Sequence, residues 1–199
     1  MISNKNKRGY EQFIGILFIL ATLTYGLGNQ LIADGIKNNS HTISLNIGML
    51  LELVNSLAVG TIGGLSFLLL SKFNKSVVKG YTISRILEGI LLAIGTLSVL
   101  WMTDSNMMFI QKFRDTCFSV AMISLGAYSI CFYGYLLQTD LAPKWLMVLG
   151  IFGYFTLSIY AVLFLILGKA SMFLFIPGGL FELIFPIYLI KKGYRILQE

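Results

Sequence analysis

Glu52, Arg85, Glu88 and Glu182 are ionisable side chains standing inside otherwise apolar runs. In hydrocarbon each costs about 2.5–3.5 kcal/mol at mid-helix on insertion scales, so such groups turn inward and seek partners. Arg85 and Glu88 are three residues apart, on one helix face and within reach of each other. With the third apolar run starting near Gly80, Arg85 lies roughly 8 Å and Glu88 roughly 12 Å above that end, at 1.5 Å per residue. Glu182, nine residues before Lys191, comes out about 13 Å above the same end. One layer can therefore hold an arginine and two carboxylates, with Arg85 as the partner of a carboxylate or another anion. Two acids against one base in low dielectric favour a proton on one of them, which would make the layer proton-linked. The plainer use of the same charges is an ion pair that locks helices together. Glu52, 18 residues before Leu70, is roughly 27 Å up, near the opposite face and away from Arg85, with Asn55 one turn on as its nearest polar neighbour.

Glu182 has the most unusual setting, Phe175-Ile176-Pro177-Gly178-Gly179-Leu180-Phe181-Glu182, with Pro186 four residues later. Proline removes a backbone donor and crowds the preceding turn, and glycine lowers the cost of bending. Pro177, Gly178, Gly179 and Pro186 thus predict a kinked or broken helix whose freed carbonyls lie beside a carboxylate, as at midplane sites of transporters. Ser56, Gly60 and Gly64 follow small-x-x-x-small spacing, which suits close packing inside the molecule or a homodimer contact.

Other chemistry is thinly represented. His41 stands in a polar connector after Lys37, Asn38, Asn39 and Ser40, and reads as a solvated loop residue with no second ligand nearby. Cys117 and Cys131 fall in one predicted helix, roughly 21 Å apart, beyond disulfide reach. No Ser, His and Asp set, HExxH, phosphate-cradling glycine loop or paired aspartates occurs. No metal site or cofactor is expected.

The elements that must position these residues follow from composition. The 199 residues are 56% hydrophobic and 12% charged, at a mean hydropathy of +0.79. A water-soluble domain carries about 25% charged residues, so a soluble fold is excluded. Apolar runs at about 12–33, 44–70, 80–102, 116–139, 144–168 and 171–190 predict six transmembrane helices, an all-α bundle of one polytopic domain. No run alternates with the period of two that a barrel needs. The first run is too long for a signal-peptide core and lacks a cleavage site, so it reads as a retained span. Thr103 to Asp115 reads as a polar connector. The net charge of +6 is scattered in twos and threes, which argues against nucleic acid. By alternate connections Lys and Arg divide ten against four, an asymmetry that predicts both termini in the cytoplasm, with membrane lipids as the surrounding partner. Trp101, Trp145, Tyr10, Tyr81 and Tyr194 stand near span ends, where an aromatic belt would lie.

The pattern resembles a bacterial and archaeal membrane family known as domain of unknown function 4386. The resemblance rests on Leu50-Leu51-Glu52-Leu53-Val54-Asn55, on Tyr81 with Arg85, Glu88 and Gly89, on Leu141-Ala142-Pro143-Lys144-Trp145-Leu146, and on Pro177 with Glu182, Lys192 and Gly193. It covers about residues 10 to 194. A tyrosine-proline turn associated with the family is replaced by Ser71-Lys72-Phe73-Asn74-Lys75. The resemblance implies a six-span membrane protein and brings no activity or ligand; the plasma membrane is the expected location. Three functions fit the residues: binding or transport of a small molecule, lipid or ion through the Arg85, Glu88 and Glu182 layer; a non-catalytic immunity, stress or assembly factor with structural charges; or an intramembrane enzyme with a glutamate acid/base.

Overall fold

The computed structural model describes residues 4–37, 43–103 and 105–194. His41 and Arg195 lie outside the described residues. Among those described there is no strand, and the helices are α1 (Asn4–Lys37), α2 (Ile43–Leu70), α3 (Lys75–Leu97), α4 (Met107–Gln138), α5 (Lys144–Leu167) and α6 (Ile176–Lys191). A 3-10 turn over Ser98–Trp101 prolongs α3, and another over Met172–Phe175 leads into α6. With these turns included, six spans of at least 20 residues are long and apolar enough to cross a membrane.

The helices overrun the apolar runs, because charged residues beyond a run can still be helical. Asn74 Oδ1 accepts the Val77 N–H at 3.2 Å, an N-cap that starts α3 at Lys75 rather than near Gly80. The larger departure is at 103–115, expected as a connector. Its second half belongs to α4, since residues 107 to 125 contain neither glycine nor proline to stop a helix. Arg114 and Asp115 consequently face the bundle. At the other end of α5, Gly168 closes the helix with φ +68°.

Each helix packs on its successor, and α6 closes on α1, so the bundle is a six-membered ring. Its buried charges sit among apolar core residues, and its outer face is apolar. Arg85, Glu52 and Asn55 are no more than 3% exposed, whereas Met108, Phe173 and Leu57 are more than 70% exposed. Water would reverse that distribution; hydrocarbon favours it. Trp101 and Trp145 face outward as belt residues would, but Tyr81 and Tyr194 are buried, because hydroxyls near a span end can also be taken up by interior partners.

Close approach uses glycines other than the expected set. Ser56 packs inward, its carbonyl against Gly89 of α3, but a Cβ on Gly60 or Gly64 would meet nothing within 4 Å. Gly63 instead lies on the Arg85 and Thr82 backbone and side chain. Seven residues bring a helix back to within about 20° of the same face, and eight overshoot by about 80°, so Ser56 shares its face with Gly63. The inward seam from Ser56 through Gly60 to Gly64 is therefore not formed.

The ring is joined between α1 and α6 by a clamp that sequence reading passed over. Arg8 donates to the Leu189 and Ile190 carbonyls at 2.8 and 2.6 Å and pairs with Glu11 at 3.1 Å. Glu11 accepts the Tyr194 N–H at 2.8 Å. A cation on the last carbonyls of α6 also meets the negative end of its dipole. Gly193 stands against Glu11 in the left-handed region at φ +69°. Gly193→Ala is expected to destabilise the purified protein by about 1–2 kcal/mol from backbone strain alone, before the clash with Glu11, as a lower unfolding midpoint would show.

Candidate functional site

The α1 start, the α2–α3 and α4–α5 turns and the α6 end share one end of the ring, here the terminal end; the other connections form the far end. In the terminal half Tyr81, Phe132, Tyr133, Phe181 and Phe185 make an aromatic core, with Tyr81 stacked on Phe132 at 4.1 Å and Phe181 edge-on to Tyr133 at 4.7 Å. A smaller apolar cluster of Ile32, Ile36, Leu45, Met49, Val99, Met102 and Ile110 packs the far end. Between them lies a cavity of about 560 Å³ to which all six helices contribute.

Arg85, fully buried, anchors its inner end. Nη1 donates to Glu88 Oε2 at 3.0 Å, Nε to the Tyr81 hydroxyl at 3.0 Å and Nη2 to the Tyr154 hydroxyl at 2.7 Å. Tyr154 in turn donates to Glu182 Oε1 at 3.1 Å. The rings of Phe18, Tyr81 and Tyr154 lie 5.0, 5.4 and 5.8 Å from the guanidinium carbon, within cation–π range. Arg85, Glu88 and Glu182 thus share a layer, but Tyr154 stands between the arginine and the α6 carboxylate. That half-buried carboxylate has no other hydrogen bond among the described residues.

Glu52 belongs to a second polar group nearer the far end. Arg114 Nη2 pairs with Glu52 Oε1, Thr96 donates to Glu52 Oε2 at 2.6 Å, and Arg114 also reaches Asn29 at 3.0 Å. Asn55, one turn along α2, has a different position from the one its spacing suggested. It is 3% exposed, lines the cavity and makes no hydrogen bond among the described residues. Its amide therefore faces the cavity with donor and acceptor capacity that a water or a ligand can use.

The α6 helix is not broken at Glu182. The change from 3-10 to α geometry falls at Phe175–Ile176, Pro177 occupies the first turn, and the helix runs on through Glu182 to Lys191. Proline suits a first turn because its missing donor would have no partner there. Gly178 is pressed on Gly153 of α5, and Gly179 opens on the cavity. Pro186, inside the helix, offers no N–H to the Glu182 carbonyl four residues earlier.

Arg114, Asp115 and Tyr154 are the site residues that sequence reasoning missed. Arg114 was hidden by the connector boundary. Tyr154 left a signal: it is ten residues past Lys144, roughly 15 Å into a span, where a hydroxyl must find a partner rather than sit at the interface. Among the described residues no three His, Cys, Asp or Glu side chains converge as a metal site would need.

A ring of six apolar helices around a charged internal cavity defines a polytopic, membrane-embedded protein. The family is equally definite: a family model matches residues 13–193, and the chain belongs to the family described as Domain of unknown function (DUF4386). No curated protein and no solved structure matches it.

Proposed function

We propose that this chain is a plasma-membrane protein, with both termini cytoplasmic, that takes a small molecule, lipid or ion into its central cavity to bind or transport it. One observation carries the reading: a hollow of about 560 Å³, the size of ligand pockets, lined by Glu182 and by the Asn55 amide, which makes no hydrogen bond among the described residues. The excess of Lys and Arg on the terminal side supports the orientation, which puts the cavity in the outer half of the membrane. The structural reading of the charges also has support, at Arg85, whose Nε, Nη1 and Nη2 are all engaged. The two readings divide the site: Arg85 and Glu88 form its floor, and Glu182 and Asn55 meet the occupant.

Gly179→Leu tests this, since a Cβ at 179 meets open space within 4 Å and Gly179 lines the cavity. Replacing a helical glycine gains up to about 1 kcal/mol of helix propensity, so the fold is retained. Native mass spectrometry of protein released from detergent is expected to show a co-purifying lipid or solute on the parent chain and none on Gly179→Leu. Equal adducts on both, or none on the parent, would sink the binding reading.

A further inference from the structure

We propose that the occupant is a small organic cation, a protonated amine carrying an apolar or aromatic group. This rests on the reading that the cavity binds a ligand, and adds its chemical class.

Charge is the first ground. Glu52, Glu88, Asp115 and Glu182 line the cavity against two guanidiniums, Arg85 and Arg114. The guanidiniums are taken by Glu88 and Glu52, which leaves Glu182 and Asp115 without a cation within 4 Å among the described residues. Arg85 has Nε, Nη1 and Nη2 all engaged, and an anionic ligand at Arg114 would face Glu52 and the nearby Asp115, whereas a cationic ligand completes the balance. Hydrogen bonding is the second ground. Glu182 and the Asn55 amide oxygen are acceptors with unused capacity, and an ammonium brings up to three donors.

The third ground is the wall. Tyr25 stacks on Phe118 at 5.8 Å, Phe118 on Phe175 at 6.2 Å, Phe175 meets Tyr160 edge-on at 4.3 Å, and Tyr160 stacks on Phe164 at 5.6 Å. These five rings, from α1, α4, α5 and the turn before α6, all line the cavity. Aromatic faces attract cations within about 6 Å, as the rings around Arg85 already do, and they bury an apolar tail equally well. A bare metal ion fits poorly, because the carboxylates come from four different helices and no three converge.

The experiment is isothermal titration of the full chain in detergent with three probes of one shape: phenethylammonium, 2-phenylethanol and 3-phenylpropionate. Phenethylammonium is expected to bind at least tenfold tighter than the other two, and to lose at least tenfold on Glu182→Gln. Phe175→Leu should weaken the ammonium more than the alcohol. Equal or tighter binding of the alcohol or the carboxylate overturns the cation while leaving the cavity a ligand site. No binding of any of the three overturns both. The comparison of probes on the parent chain decides the matter even where a variant fails to fold.

Discussion

Arg85→Ala is expected to be the most damaging single substitution in the chain, lowering stability by about 3–5 kcal/mol, the range for breaking a buried ion pair from one side. Three groups lose a hydrogen bond together. Glu88, 5% exposed, becomes a buried carboxylate without a counter-charge, and the Tyr81 and Tyr154 hydroxyls each lose a donor. Arg85→Lys is expected to rescue little. One ammonium lacks the planar fork that meets Tyr81, Glu88 and Tyr154 in three directions. Removing Glu88 as well, in Arg85→Met/Glu88→Leu, should recover only part of the loss, because the Tyr81 hydroxyl loses its Arg85 partner at about 1–3 kcal/mol, while Tyr154 keeps Glu182. Unfolding followed by intrinsic fluorescence or by gel filtration of detergent-solubilised variants gives the order. An Arg85→Ala chain as stable as the parent would show that this layer does not hold the ring.

The second large effect is expected at Glu52 and Arg114, with the opposite double-mutant outcome. Glu52→Ala strands Arg114, whose side chain is 14% exposed, and removes one of the two acceptors of Thr96, which keeps the Leu92 carbonyl. The loss should approach the lower end of the one-sided range, about 3 kcal/mol, because Arg114 keeps Asn29 and some access to solvent. Glu52→Leu/Arg114→Leu should recover most of it, since replacing a buried pair by apolar residues of similar volume is often neutral or stabilising. The cycle separates the two polar groups of the cavity. Coupling at Glu52 and Arg114 is pairwise, whereas Arg85 couples to several partners at once. A double variant no more stable than Glu52→Ala would mean that the pair is part of a wider network.

The positions of the buried charges were legible because hydrocarbon makes charge conspicuous. Glu52, Arg85, Glu88 and Glu182 stand out against apolar neighbours, and helical rise alone put three of them at similar depth. Arg114 and Asp115 escaped because they lie among other polar residues, where hydropathy marks a run's end but not a helix's end. Tyr154 escaped because hydropathy counts tyrosine as near-apolar while its hydroxyl bridges Arg85 and Glu182. The α6 glycines stood out by their backbone freedom, but that Gly178 meets α5 and Gly179 the cavity are facts about neighbours.

The amino-acid order thus settled everything that depends on one helix and its solvent: six apolar helices, and the residues that must avoid lipid. Those properties follow from transfer energies summed along a single segment. The tertiary structure alone decided which of the buried groups satisfy one another. Arg85 is matched by residues on α3 and α5, Glu52 by α3 and α4, and Asn55 by none among the described residues, because partners on different helices are set by ring closure and helix rotation, which no local spacing encodes.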